Sequence, residues 1–236
     1  MLTFDKLKLV TKIKNIKILE ESAFNIKSKD NVISHLEFHQ KVPFLLNIEV
    51  DYEDNELVLE FTGKVLGSDY PKLISIETIK QCFININNMG ICLLDIDAIM
   101  DDASVVKCDV TQDVCCDDVP ALTKYIASNI INYREYIART LRNSNFVVEK
   151  NVTTRGYKKR LTIYNKQKEM NKRENSRYMT EYNIPPNTFE NICRFELNLN
   201  STAQIKKSLG ISDTSLQSVL TATNNPIRDF LDDVVA

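Results

Sequence analysis

This chain of 236 residues is short of several things, and each shortage closes off a class of function. It has two histidines, His35 and His39, and its six cysteines (82, 92, 108, 115, 116, 193) contain no CxxC pair. A His/Cys zinc site is therefore not expected, and the cysteines read as buried thiols. No apolar run approaches the roughly 18 residues needed to cross a bilayer. The opening "MLTFDKLKLVTKIKNIK" has no signal-peptide hydrophobic region, so a cytoplasmic protein with no membrane role is expected. Internal repeats, low-complexity linkers and regular βαβ alternation are also missing. Only 5 glycines and 6 prolines interrupt a chain that is 43% hydrophobic, which suits one sizeable domain over residues 1–236 with ample core. Strands and helices mixed without βαβ order predict an α+β fold: a mainly antiparallel central sheet flanked by helices.

What is present is segregated charge. The net charge of −2 hides a stretch from 150 to 177 with ten Lys and Arg against two Glu. It also hides a stretch from 95 to 118 with eight Asp against one Lys. Two readings stand for this pattern. One is ordinary solvated faces; the other is a phosphate-binding patch beside an acidic, metal-ready cleft.

Element signals are clear in places. "FLLNIEVDYEDNELVLEFTG" predicts a hairpin, and "FVVEKNV" with "KRLTIYN" a second one that turns at Gly156. Helical spacing of Leu73, Ile76, Ile79, Cys82, Phe83 and Ile86 predicts a helix that stops at Gly90. "DDVPALTKYIASNIINYREYIARTLRN" reads as one long amphipathic helix with Arg139 and Arg142 in its last turns. A polar helix is expected from about Lys166 to Tyr178, then a strand "ICRFELNLN". After it come a capped helix "STAQIKKSLG" and a last short helix "SDTSLQSVL".

Three segments carry candidate chemistry. In "CDVTQDV", strand alternation puts Asp109, Thr111 and Asp113 on one face. Two carboxylates buried there would need a cation or another partner; alternatively one of them is exposed at a strand end. In "CRFELNL", Arg194 and Glu196 share a face. They supply either a further oxygen ligand beside Asp109 and Asp113, a set suited to Mg²⁺ or Mn²⁺, or a plain Arg194–acid ion pair. In "KRLTIYNKQKEM", Tyr164 ends an apolar strand and runs into lysines. A phenol is a weak nucleophile until a base, a cation or a polarised phosphate helps it, and Lys166 is suited to that help. The other reading of Tyr164 is a packing residue. A carboxylate-held metal, a tyrosine and lysines together suit transesterification of a DNA phosphodiester.

In their order, these motifs resemble the gene II/X family of rolling-circle replication initiators of filamentous phages and related plasmids, and more distantly the plasmid Rep-trans initiators. Those families carry an "R-I-D" strand, a "Y-x-K-x-x-x-E"-like segment and an "R-F-E" strand. Here the stretches read "VVKCDVTQDV", "LTIYNKQKE" and "CRFELNL". The likeness covers about residues 40–210, with "NELVLEFTGKVLGSD" as the upstream strand and loop and 211–236 as a C-terminal helical tail. It departs at Lys107-Cys108, where the family has arginine and isoleucine.

The resemblance implies a replication-initiator architecture of the HUH-endonuclease kind. The HUH motif itself is absent, since "HLEFH" has neither the His-hydrophobe-His nor the HExxH spacing. It also implies catalysis by Tyr164 and Lys166, Mg²⁺ or Mn²⁺ on Asp109, Asp113 and Glu196, and a covalent 5′-phosphotyrosine intermediate. Arg155, Lys158, Lys159, Arg160, Lys168, Lys172, Arg173 and Arg194 are the expected DNA contacts. Expected partners are single-stranded or locally melted origin DNA and the helicase and polymerase of a bacterial host. Two other readings keep the sequence features: a non-catalytic DNA-binding or phage structural protein on the same fold, and a mobilisation relaxase. A tyrosine recombinase is disfavoured, because both histidines lie far upstream of Tyr164.

Overall fold

Alternation of apolar and polar residues dominates the chain. In the computed structural model it builds one large sheet. The structure describes every residue except 31, 42–43, 132–133, 142–144 and 155–157. The first half of the chain contributes β1 (Thr3–Lys12), β2 (Ile16–Ile18), β3 (Asn25–Lys29), β4 (Val32–Gln40), β5 (Leu46–Asp51), β6 (Glu56–Thr62), α1 (Ile79–Asn87), β7 (Cys92–Leu94) and α2 (Ile96–Asp102). The second half contributes β8 (Ser104–Cys115), α3 (Val119–Ser128), β9 (Tyr136–Thr140), β10 (Phe146–Lys150), β11 (Arg160–Asn165), α4 (Lys166–Met170), α5 (Arg173–Glu181), β12 (Ile192–Leu199), α6 (Thr202–Leu209), α7 (Leu216–Leu220) and α8 (Pro226–Val234).

Ten strands pair in the order β3-β4-β5-β6-β1-β8-β12-β11-β10-β9, and β2 with β7 forms a separate small ribbon. Every described strand pair is antiparallel. The architecture is thus α+β around an antiparallel sheet, as the mixed element order predicts. β1 is central, between β6 and β8, so the sheet that holds the motifs begins well upstream of residue 40.

The two faces of β8, β12 and β11 differ sharply. Cys108, Val110, Leu161, Ile163, Leu197 and Leu199 are buried on one face, against which α6, α7 and α8 pack. Each aliphatic residue among them contributes about 1.5–3 kcal/mol by leaving water. The other face carries Asp109, Thr111, Asp113, Arg194, Glu196, Asn198, Thr162 and Tyr164. It is closed partly by residues 63–72, α4 and α5. One strand ladder therefore has an apolar side that holds the fold and a polar side that is available for chemistry.

Local signals were accurate where sequence and packing agree. Both hairpins form, although Gly156 lies outside the described residues. Ser201 caps α6, and Gly210 ends it with a left-handed φ of 67°. Helix α1 begins at Ile79, so Leu73 and Ile76 pack ahead of it rather than within it.

Two expectations fail. The long helix breaks at Asn129, whose side chain bonds back to the Tyr125 carbonyl. Beyond it the β-prone "YIART" becomes the edge strand β9, where Arg139 pairs with Glu149 at 2.7 Å; Arg142 is outside the described residues. The polar helix splits into α4 and α5 around Asn171 and Lys172. A further helix, α8, follows α7, capped by Asn225 with Pro226 in its first turn. No described helix is long and apolar enough to cross a membrane.

Candidate active site

The antiparallel register of β8, β12 and β11 places the motif residues opposite one another in rows. Asn198 faces Asp109, Glu196 faces Thr111, and Arg194 faces Asp113. On the other side of β12, Thr162 faces Glu196 and Tyr164 faces Arg194. Cross-strand neighbours lie about 4.5–5.5 Å apart, so each row is a contact set.

Arg194 is fully buried and completely engaged. Its Nε and Nη2 donate to the two oxygens of Asp113 at 2.7 and 2.8 Å. Its Nη1 donates to Asp5 and to the Tyr70 hydroxyl, both at 3.0 Å. The Arg194–acid ion pair, one of the two sequence readings, is therefore present, in the bidentate geometry that guanidinium favours. Arg194 is consequently not a surface contact for DNA.

The neighbouring row is differently charged. The Tyr164 hydroxyl donates a hydrogen bond to Glu196 Oε1. Burial pushes the Glu196 carboxyl up to about 7, the nearby charge of Asp5 adds to that shift, and Lys166 and Arg194 oppose it. Burial, reinforced by Glu196, holds the Tyr164 phenol well above its usual range. The phenol is thus a protonated donor in this arrangement, and Glu196 is the group placed to accept its proton.

Lys166 sits beside the tyrosine without bonding to it. Its Nζ is 5.6 Å from the centre of the Tyr164 ring and donates to the Tyr70 hydroxyl at 2.6 Å and Glu169 at 2.7 Å. Because α4 starts at Lys166, this side chain turns inward and is only 2% exposed. Glu169 is held in turn by Asn175, which accepts from Lys64 Nζ at 2.5 Å. Burial lowers the Lys64 ammonium, and Glu169 partly restores it. Asp5, Lys64, Tyr70, Tyr164, Lys166 and Glu196 line one open cleft of about 360 Å³. This is a mixed-charge pocket that ends on the tyrosine hydroxyl.

The residues expected to hold Mg²⁺ or Mn²⁺ do not assemble. Asp109 and Asp113 are four residues apart on one straight strand, about 13 Å along it, whereas ligands of one such ion lie about 2.1 Å from it. Asp109 accepts from Asn198, and Asp113 is taken by Arg194. No group of three metal-binding side chains occurs among the described residues. The acid that does stand near Glu196 is Asp5, and the set Asp109, Asp113 and Glu196 does not fit one ion. The acidic stretch as a whole is also dispersed. Asp102 accepts from Thr11 and Asn15, and Asp95 and Asp118 cap helices.

The basic stretch divides too. Lys158, Lys159 and Arg160 stand at one end of β11; Lys166, Lys168, Lys172 and Arg173 follow its other end, about 17 Å away along the strand. Lys158 pairs with Glu149 at 3.1 Å, and burial, with Lys207 nearby, lowers the Lys159 ammonium. Lys168, Lys172 and Arg173 are exposed. Arg155 lies outside the described residues. His35 and His39 are on β4, four strands from β8 across the sheet, beside Asp51 and Asn47.

No protein-family model matches this chain, and no curated protein matches its sequence. The site therefore rests on its own geometry. That geometry adds four residues absent from the motif reading: Asp5, Lys64, Tyr70 and Glu169. Asp5 carried no signal, because β1 becomes central only on folding. Glu169 stands in the quoted "LTIYNKQKE", Lys64 stands in "NELVLEFTGKVLGSD", and Tyr70 directly follows it.

Proposed function

We propose that this chain is a DNA-nicking and strand-joining enzyme that starts rolling-circle replication by attack of Tyr164 on an origin phosphodiester. The observation that carries this reading is the Tyr164–Glu196 hydrogen bond at the end of an open, lysine-lined cleft. A buried carboxyl titrating near 7 is matched to act as a base at neutral pH. The phenol proton passes to Glu196 as the tyrosine oxygen bonds to phosphorus. The P–O3′ bond breaks, and the leaving 3′ oxygen takes up a proton to become a hydroxyl. The 5′ phosphate stays on the tyrosine, so the same steps in reverse rejoin a strand. Lys64 and Lys166 supply positive charge where negative charge grows on the phosphate. The free 3′ hydroxyl is what a host polymerase would extend, which is why a helicase and a polymerase remain the expected partners.

The test is a cleavage assay with labelled single-stranded fragments tiled across the genetic element that encodes the chain. It is run in Mg²⁺, in Mn²⁺ and in EDTA, and resolved on a denaturing protein gel. The expected result is label moving to the mass of the wild-type protein and not to that of Tyr164→Phe. Glu196→Gln should give less adduct by a factor of about 10²–10⁴, the usual contribution of a general base. An adduct that survives Tyr164→Phe sinks the assignment of the nucleophile, and binding without any adduct favours the non-catalytic reading.

A further inference from the structure

A second cavity, of about 480 Å³, opens beside the Tyr164 cleft. It runs between the α3 face carrying Thr123, Lys124 and Ala127 and the ends of β10 and β11. Phe146 and Asn165 in its wall belong to the opposite face of the sheet from Tyr164, since Phe146 pairs with Ile163 and strand side chains alternate. Yet the two cavities share Asn145, Glu169 and Lys172. The two cavities thus adjoin at the end of β11, where α4 begins.

Its charge has a clear sign. Lys124, Lys168 and Lys172 line this second stretch with Glu169 as the opposing acid, and all three lysines are exposed. Glu169 is already committed to Lys166 and Asn175. Lys124, Lys168 and Lys172 are in no ion pair with a described residue, unlike Lys158 at the other end of β11. Helix α4 explains the division of labour: Lys166 and Glu169, three apart, turn into the cleft, while Lys168 turns to the groove. Exposed lysines that pair with no described acid, along a groove that adjoins the cleft, match the phosphodiester backbone of a single strand.

The geometry points to this groove as the track for single-stranded DNA leaving the Tyr164 cleft. Lys124, Lys168 and Lys172 contact successive phosphates of that strand. The inference rests on the nicking proposal and adds to it the path of the strand and a contact, Lys124, outside the basic stretch of 150–177. Contacts of this kind give affinity without sequence preference, and they are read through salt. For single strands the slope of log affinity against log salt changes by about 0.7 for each phosphate neutralised.

The experiment measures fluorescence anisotropy of a labelled oligothymidylate across a salt series. The full chain carries Tyr164→Phe so that no covalent link forms. Lys124→Ala is compared with Lys27→Ala, an exposed lysine on β3 at the opposite edge of the sheet. The expected result is a slope flatter by about 0.7 for Lys124→Ala, and by about 1.4 when Lys168→Ala is added. Lys27→Ala should leave the slope unchanged. If the oligonucleotide binds and Lys124→Ala behaves as Lys27→Ala does, the groove assignment is overturned and the nicking proposal stands. If no form binds single strands at low salt, both fall together.

Discussion

Arg194 and Glu196 stand two residues apart on β12, on the same face of the sheet, and their surroundings could hardly differ more. Arg194 is a solved charge: two carboxylates and a phenol meet every side of its guanidinium. Glu196 is an unsolved one. It has Tyr164 as a donor, Asp5 as a like-charged neighbour, and no cation within an ion-pair distance among the described residues. A buried charge whose partners are all present sets architecture. A buried acid whose charge is only partly met is the kind of group whose proton can be moved. The comparison predicts that breaking the first costs fold, and breaking the second costs function.

The largest effect should come from Arg194→Met. Removing the guanidinium leaves Asp113 and Asp5 facing each other across a buried space with no cation between them. Loss of one partner of a buried pair costs about 3–5 kcal/mol, which for a chain of this size lowers Tm by roughly 10 °C. Chemical denaturation of the variant beside wild type measures it. The companion Arg194→Met/Asp113→Leu should regain much of the loss, since an apolar replacement of the whole pair leaves no orphan. Failure of that rescue would mean that Asp5 and Tyr70, rather than Asp113, depend on the arginine.

A smaller effect is expected at Gly67, which touches neither residue but shapes the segment that carries Lys64 and Tyr70. Its φ is +63°, and an added Cβ would sit 2.8 Å from the Tyr182 ring. Its carbonyl also accepts from the Tyr178 hydroxyl at 2.9 Å. Gly67→Ala should cost about 1–3 kcal/mol through strain and clash together. Adding Tyr182→Ala removes the clash and leaves the left-handed backbone penalty. The double variant should therefore be more stable than Gly67→Ala, as read by thermal melting, and its adduct yield should recover in step. If the yield does not follow stability, residues 63–72 do not position the cleft's lysine.

The rows of the ladder were legible from sequence because strand alternation has a fixed period. Asp109, Thr111 and Asp113, like Arg194, Glu196 and Asn198, share a face as the pattern dictates. What alternation does not contain is register between strands. One pairing puts Arg194 against Asp113 and gives an ion pair. A shift of two residues would have put Glu196 there and brought two acids together, as the metal reading required. The same limit hid Asp5, which reaches the site only because β1 enters the sheet beside β8. Helix breaks were missed for a different reason. The stretch after Asn129 has helical spacing, but its Ile, Tyr and Thr residues gain more by pairing with β10, a partner invisible to local pattern. Charge runs were legible as runs and not as surfaces, because β11 carries the two halves of the basic stretch apart.

The finest distinction between the two residues lies in pH. A carboxyl that titrates near 7 when folded and near 4.5 otherwise keeps its proton longer in the native state. Between those values the unfolded chain has already released its proton, so stability falls as pH rises and levels off above about 7. Asp109, pushed up to about 6 by burial, adds a similar fall over a lower window. Glu196→Gln replaces the acid with a neutral group of the same shape that still accepts from Tyr164. It should therefore match wild type near pH 4, flatten the upper part of the decline, and exceed wild type at pH 8 by on the order of 1 kcal/mol. Adduct formation should move the opposite way, rising with pH through about 7 in wild type and staying low and flat in the variant. A variant less stable than wild type at pH 8 would instead place Glu196 with Arg194, as a charge the fold needs. A variant more stable and inactive would separate the two residues in the way their surroundings do, one serving the sheet and the other the tyrosine.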